Sequence, residues 1–423
     1  MRISRTTWIT GFALFSLFFG AGNLIFPPYL GFQAGRGWSW VTIGFLISAV
    51  VIPILAIQAH ARLQGTMADF GSKISPRFGL IYSIVVYIIS IALPAPRTAS
   101  VTYEMAIEPY FNLSSWSLSS IYFVLVLVVV LNRAKVVDLV GKFLTPAIVI
   151  LLGAIIGIGL LGNDVSYAAS SFTNNFTSGL QEGYQTFDAI GGVLVGGVLV
   201  ISCGFKTNSN AERRNMIGKA GLIAGIGFFL VYSGLIALGA AKSGVLQIEN
   251  RTDLLGQLSF VTLGDWGRKA LGILVALACF TTAVGIITGT ADFFKGLFND
   301  SKRAYIITAV VSCIIGVIVG QLDVHYIVEV AIPVLMFIYP ITIVLILLNN
   351  LPERYASRTV FVVVIVITIV FSLPDFLSAI GFSESVQPII TKLPLGKITL
   401  GWLLPALVGF LLANFFNSSK EKS

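Results

Sequence analysis

Apolar runs of about 20 residues recur along almost the whole of this chain, and that is the length a helix needs to cross the hydrocarbon core of a bilayer. Lipid offers no hydrogen bonds, so each run must satisfy its own backbone, which only a helix can do within a single segment. The candidate spans lie approximately at 7–30, 38–60, 78–103, 117–131, 136–161, 183–203, 217–240, 266–294, 305–320, 326–349, 359–380 and 398–416. The expected architecture is therefore an all-α polytopic membrane protein of about 12 transmembrane helices. The fourth and ninth runs are short, which leaves eleven to thirteen spans open. Charged residues make up 11% of the 423 residues, against roughly 25% in a soluble domain, and 56% are hydrophobic. Too little charge is present to cover a water-facing surface, which excludes a cytosolic enzyme, a nucleic-acid binder and a secreted disulfide scaffold.

The net charge of +8 is distributed by connection. Lys73 with Arg77, Arg133 with Lys135 and Lys142, Arg213 with Arg214 and Lys219, Lys302 with Arg303, and Arg354 with Arg358 fall on one side if the spans are threaded in order. Short Lys/Arg-rich connections stay inside, so both termini are expected in the cytoplasm. The first run continues through Pro27-Pro28 without a small-residue cleavage site and reads as a span, not a signal peptide. The longest outer connections, 163–182 and 242–265, are too short for a separate domain, so residues 1–423 read as one transmembrane domain. It ends in a polar tail at 417–423 that is expected to be disordered.

Catalytic chemistry has no residues to run on. Cys203, Cys279 and Cys313 sit in apolar runs at spacings that match no metal site, and the two histidines, His60 and His325, lie at the edges of apolar segments. No cofactor is expected, and no enzyme.

Polar and helix-breaking residues gather instead at two places. The first is Phe18-Phe19-Gly20-Ala21-Gly22-Asn23, followed by Pro27-Pro28, inside the first span. Freed backbone groups are tolerated at membrane depth only where they face protein, ligand or a wet cavity. Small residues alone would suit a packing face, but packing does not require the adjacent Asn and double Pro. The reading is a discontinuous helix, whose second half offers N–H groups to a carboxylate and whose first half offers carbonyls to a cation. The second place is Gly183-Tyr184-Gln185-Thr186-Phe187-Asp188 in the sixth span. Corresponding interruptions five spans apart fit a 5+5 inverted repeat, about 7–161 and 183–349, with two extra helices at about 359–416.

The stretch Phe19-Gly20-Ala21-Gly22-Asn23-Leu24-Ile25-Phe26-Pro27-Pro28 strongly resembles the signature of the bacterial branched-chain amino acid:cation symporters, the BrnQ-type or LIVCS family. Further motifs carry the resemblance along the chain in order: Pro96-Arg97-Thr98-Ala99 with Glu104, Gly141 to Pro146, Gly183 to Asp188, Ala278-Cys279-Phe280-Thr281-Thr282-Ala283 with Gly285, Ile332-Pro333-Val334-Leu335 with Tyr339-Pro340, and Gly401 to Pro405. The resemblance implies a LeuT-type fold in the bacterial cytoplasmic membrane and sodium-driven uptake of leucine, isoleucine and valine. It implies substrate contacts at Phe19, Gly20, Ala21, Gly22 and Asn23, with Thr186, Phe187 and Asp188 from the second interruption. Sodium would be held by the Thr281 and Thr282 hydroxyls with carbonyls of Ala278, Ser16 and Phe19. Those ligands are neutral hard oxygens that replace water around a cation but store no proton, whereas Asp188 is the carboxylate a proton-coupled alternative would use. An amino-acid sensor on a transporter fold is a further alternative. Partners other than substrate, sodium and lipid are not expected, and the oligomeric state is not readable.

Arg97, Glu104, Asp188 and Glu329 lie in or near apolar segments, where each costs roughly 2.5–3.5 kcal/mol at a helix centre, so each is expected to face the bundle interior or an aqueous path. Arg97 and Glu104, seven residues apart, share a face if their helix is continuous, as an ion pair or as part of the transport path.

Overall fold

The computed structural model describes residues 4–132, 136–162, 164–194, 196 and 209–420. Among them the regular structure is helical throughout. Eight helical segments of the described residues are long and apolar enough to cross a membrane, and 146–161 and 403–417 are shorter apolar helices. The sixth expected span ends at residues that lie outside the described set.

By internal packing the chain divides into two units, one of Met1–Leu46, Val86–Thr186 and Ile223–Val328, the other of Ile47–Val85, Phe187–Leu222 and Glu329–Ser423. The first expected span is carried by two helices, α1 (Arg5–Phe18) and α2 (Ala21–Ala34), with Phe19 and Gly20 extended between them. Pro27 and Pro28 stand inside α2 and do not end it. Next come α3 (Trp38–Leu46), a π turn at Ile47–Val51, α4 (Ile52–Leu63), the short α5 (Asp69–Ser72), α6 (Pro76–Ala92) and α7 (Pro94–Thr102). A second π turn, Tyr103–Ile107, separates α7 from α8 (Ser115–Asn132), and α9 (Val136–Leu161) follows.

The sixth span opens earlier than the apolar run indicates, with α10 at Asn175–Tyr184, and helix resumes at Asp188. The residues after them are α11 (Asn210–Ala241) and α12 (Arg251–Leu297), the latter interrupted by Gly264 at φ 67°, ψ −163°, a conformation only glycine adopts without strain. The residues ahead of Gly264 were expected to be a connection; they are helical, capped by Asn250, whose side chain accepts the Asp253 N–H. The remaining helices are α13 (Lys302–Gly320), α14 (Val324–Asn350), α15 (Arg358–Leu377), α16 (Ser383–Ile390) and α17 (Leu403–Lys420). Helix α17 runs into the polar stretch expected to be a disordered tail, because its helical hydrogen bonding continues to Lys420.

In the first unit small residues set the helix crossings. A Cβ on Gly31 would stand 1.9 Å from the Ile236 carbonyl oxygen, and one on Gly239 would stand 1.9 Å from that of Pro28, so α2 and α11 touch backbone to backbone. Gly44 and Gly179 do the same for α3 and α10, against Phe176 and Val41 carbonyls at 2.0 and 2.1 Å. A core of Ala99, Phe123, Val126, Ala283, Ile287, Ala309 and neighbours joins α7, α8, α12 and α13.

Polar pins hold the second unit. Tyr82 Oη meets Thr342 Oγ1 at 2.9 Å, Asn349 donates to Phe70 O at 3.0 Å, and Asn350 donates to Leu55 O at 2.8 Å. His60, fully buried, hydrogen-bonds Val193 O at 2.7 Å through Nε2, and its ring is tilted against that of Phe70 at a centroid separation of 4.4 Å. This histidine therefore ties α4 to the helix that resumes after Phe187, a structural duty its place at the edge of an apolar run did not reveal.

Candidate functional site

Phe19 ends α1 with φ −76° and ψ 94°, and its N–H still bonds Phe15 O. Gly20 follows at φ −123°, ψ −168°, an extended conformation, and α2 begins at Ala21. The first N–H groups of a helix have no acceptor within it. Asn23 reaches back to accept the Gly20 N–H on Oδ1 at 3.1 Å and donates from Nδ2 to Tyr232 Oη. Asn23 is 2% exposed, so its amide orients the turn from within the protein. Around it Phe15, Phe19, Phe228 and Tyr232 stack in sequence, with centroid separations of 4.5 Å for Phe15–Phe228 and 5.3 Å for Phe228–Tyr232.

The hydroxyl pair on α12 divides. Thr281 donates to Ala278 O at 2.9 Å, an ordinary turn-to-turn bond that also occupies one expected sodium ligand with another. Thr282 lies against the interruption itself: a Cβ on Gly20 would be 3.1 Å from Thr282 Oγ1 and 3.3 Å from its Cγ2. Glycine at 20 is what lets this hydroxyl approach the extended backbone. The Ser16 side chain lies outside the described residues.

At the second interruption Thr186 donates to Gly183 O at 2.8 Å, and Gln185 N–H bonds Glu182 O, so the end of α10 is closed by its own residues. Its last carbonyl is taken from elsewhere: Arg97 Nη1 donates to Gln185 O at 2.8 Å. Phe187 holds φ 62°, the left-handed region that a bulky residue enters only under strain of order 1–3 kcal/mol, and such outliers cluster at functional sites. Phe187 and Asp188 are buried in the second unit, where Gly191 N–H bonds Phe187 O at 2.7 Å.

Arg97, 3% exposed, also lies 4.9 Å from the Phe26 ring centroid, and its Nη2 is 2.8 Å from where a Gly22 Cβ would stand. Glu104 points to different partners: it accepts Thr252 Oγ1 at 2.5 Å and caps α14 by accepting Val324 N–H at 2.8 Å. Glu104 itself stands in the π turn that begins at Tyr103, so the regular α-helical register that would put it on one face with Arg97 ends just before it. Glu329 is exposed, unlike the other three charges. Arg251, the first residue of α12, pairs with Glu182 and lies over Tyr29 and Phe26, at 4.4 and 5.1 Å from their centroids. Neither Tyr232 nor the Arg251–Glu182 pair was marked by local sequence; their partners lie 209 and 69 residues away. No cluster of His, Cys, Asp and Glu able to hold a metal occurs among the described residues.

A polar turn lies buried between α1 and α2 among helices long and apolar enough to cross a membrane, and the family and relatives that match the chain are transport proteins, not enzymes. The profile of the family described as branched-chain amino acid transport protein matches residues 3–420, and the chain belongs to that family. It is 33% identical over 431 residues to the branched-chain amino acid permease BrnQ of Bacillus subtilis, covering 98% of this chain and 97% of the relative. It is 35% identical over 417 residues to the branched-chain amino acid transport system 2 carrier protein of Pseudomonas aeruginosa, covering 95% and 94%. In three dimensions it is similar to Mhp1 in an inward-facing conformation, with a TM-score of 0.61 at 13% identity over 98% of this chain and 91% of the other. It is also similar to MhsT in complex with L-phenylalanine, with a TM-score of 0.57 at 16% identity over 97% and 98%. These likenesses establish the LeuT-type transporter fold.

Proposed function

We propose that the chain is a secondary active symporter that carries leucine, isoleucine and valine into a bacterial cell with sodium, by alternating access. The observation that carries this reading is Thr282 seated on Gly20 at the interruption between α1 and α2. Hard, neutral oxygens and freed backbone groups then meet in one turn, which suits a small cation and a carboxylate together. In this reading the Ala21 and Gly22 N–H groups hold the substrate carboxylate, Asn23 fixes the turn, and Phe19 and Gly20 border it. Sodium is held by Thr281, Thr282 and the carbonyls of Ala278, Phe19 and Ser16. Thr186, Phe187 and Asp188 complete the substrate site from the second discontinuous helix, with Phe187 an apolar wall for the branched side chain.

The proposed frame is a single domain of twelve spans in the cytoplasmic membrane, with both termini inside. Helices 1 and 6 are discontinuous, the repeats run about 7–161 and 183–349, and two extra helices occupy about 359–416. The names of the family and of the relatives support the substrate class. Likeness to a Na+-coupled sialic acid symporter, TM-score 0.58 over 97% of this chain and 89% of the other, is consistent with sodium coupling on such a fold.

The test is uptake of labelled leucine by proteoliposomes with valine, lysine and glutamate as competitors. An apolar pocket distinguishes one methylene by only about 1–3 kcal/mol, so valine should compete, while lysine and glutamate would bury an unpaired charge and should not. Strong inhibition by lysine or glutamate, or no leucine uptake, would overturn the reading.

A further inference from the structure

We propose that the side-chain oxygen of Gln185 accepts a hydrogen bond from the substrate's α-ammonium group, which makes Gln185 a specificity-determining residue that selects amino acids over carboxylic acids of the same skeleton. The inference rests on the reading that the substrate carboxylate docks at the start of α2.

Gln185 caps the C-terminal end of α10, at φ −66° and ψ −18°. Its backbone is engaged on both sides: the N–H bonds Glu182 O, and the carbonyl accepts Arg97 Nη1 at 2.8 Å. The side chain is not. Gln185 is 5% exposed, yet no donor among the described residues reaches its Oε1. A buried acceptor without a partner forfeits its hydration, and native proteins keep few such groups. Packing supplies no reason for this one, because an unbranched methionine would fill the same space without that cost. Its place in the fold does. Helix α10 packs against α2, and one guanidinium bridges them, with Nη1 on Gln185 O and Nη2 2.8 Å from where a Gly22 Cβ would stand. Gln185 therefore stands one guanidinium's width from the first turn of α2. The helix ends that meet there carry opposite partial charges, positive at the start of α2 and negative at the end of α10. A zwitterion between them is oriented by both, carboxylate to α2 and ammonium to α10. An ammonium brings three N–H donors, each of which needs an oxygen where lipid offers none. With Gln185 O taken by Arg97, Oε1 is the acceptor this residue still offers. A neutral carboxamide also suits the neighbourhood, since a carboxylate beside Arg97 would be drawn into a bidentate pair with it. The competing account is that Oε1 only holds an ordered water.

The two accounts separate by the amine. Leucine and isocaproate share a carbon skeleton and a carboxylate, and isocaproate lacks the ammonium. Purified protein in nanodiscs with sodium is titrated with labelled leucine, isocaproate is measured by competition, and thermal unfolding is followed with and without leucine. In Gln185→Met, leucine affinity should fall roughly tenfold or more, as for the loss of a hydrogen bond to a charged group, while isocaproate changes less than about threefold. Without leucine the variant should melt no lower than the unaltered protein, because Oε1 holds nothing in the free fold, and leucine at a fixed concentration should raise its melting temperature less. Gln185→Leu, which also lacks the acceptor, should reproduce both results. A lower melting temperature of both variants without leucine would assign the carboxamide to the fold and overturn the proposal. Unchanged leucine affinity, or parallel weakening of leucine and isocaproate, would assign Oε1 to a water and overturn it as well. Isocaproate binding the unaltered protein as tightly as leucine would show that the amine is not read. Each of these results leaves the carboxylate site at α2 standing, whereas an unaltered protein that binds no leucine would remove that site and this inference with it.

Discussion

Asn23 Oδ1 accepts the Gly20 N–H at 3.1 Å, so one side chain reaches back over the first turn of α2 and ties down the residue at which the helix resumes. The same amide donates to Tyr232 Oη on α11, which makes the turn part of a network that spans 209 residues of sequence. Asn23→Ala should leave a buried N–H and a buried tyrosine hydroxyl without this partner, costing about 1–3 kcal/mol each. The expected outcome is a lower melting temperature and leucine affinity reduced at least about tenfold. Thermal unfolding and equilibrium binding on the same preparation check it; unchanged affinity would mean that the turn keeps its shape without the amide.

Gly20 and Thr282 should behave as a coupled pair. Gly20→Ala brings a methyl to 3.1 Å from Thr282 Oγ1 and 3.3 Å from Cγ2, closer than ordinary contact. Sodium-dependent uptake should fall, and adding Thr282→Ser, which keeps the hydroxyl and deletes the crowding methyl, should restore part of it. A double-mutant cycle measures this, and strict additivity of the two changes would contradict it.

The crossing of α2 and α11 should tolerate nothing larger than hydrogen at Gly31. A Cβ there overlaps the Ile236 carbonyl, so Gly31→Leu should destabilise by about 1–3 kcal/mol or more and abolish a monodisperse peak in size-exclusion chromatography. Gly153→Ala is the control, since a Cβ at that position meets nothing within 4 Å. Equal behaviour of the two variants would mean that the backbones separate at little cost.

Much of this was legible in the chain. The lengths of the apolar runs sufficed for the helical membrane class, and Gly20-Ala21-Gly22-Asn23 marked the first interruption because lipid punishes such residues mid-helix. The double proline misled: Pro27 and Pro28 remain inside α2, where lost donors are tolerated beside the close approach of Gly239. Helix α10 and the part of α12 before Gly264 were invisible to a criterion built on apolar length, since polar residues such as Asn175, Gln181, Arg251 and Asp253 dilute them. The Asn23–Tyr232 and Arg97–Gln185 contacts join residues far apart in sequence, and no local pattern announces a partner at that distance.

Phe187 should trade selectivity against strain. At φ 62° a glycine is unstrained, so Phe187→Gly should recover about 1–3 kcal/mol of strain against the roughly 3–5 kcal/mol cost of emptying a buried phenylalanine site, while losing an apolar wall. Discrimination between leucine and valine should shrink to less than about threefold, compared with the roughly tenfold or more that one methylene can yield in a fitted pocket. Competition curves for the two amino acids measure it, and an unaltered ratio would remove Phe187 from the substrate's surroundings.

The central claim is that neutral oxygens at the first interruption bind the driving cation. Its most direct test is leucine uptake into proteoliposomes under an imposed sodium gradient at constant pH, repeated with the Thr281→Ala, Thr282→Ala double variant and with Asp188→Asn. Threonine hydroxyls and carbonyls cannot carry a proton near neutral pH, whereas a carboxylate can. The account predicts uptake that follows the sodium gradient and is lost in the threonine variant. Uptake that ignores sodium, follows an imposed pH gradient and disappears in Asp188→Asn would contradict it.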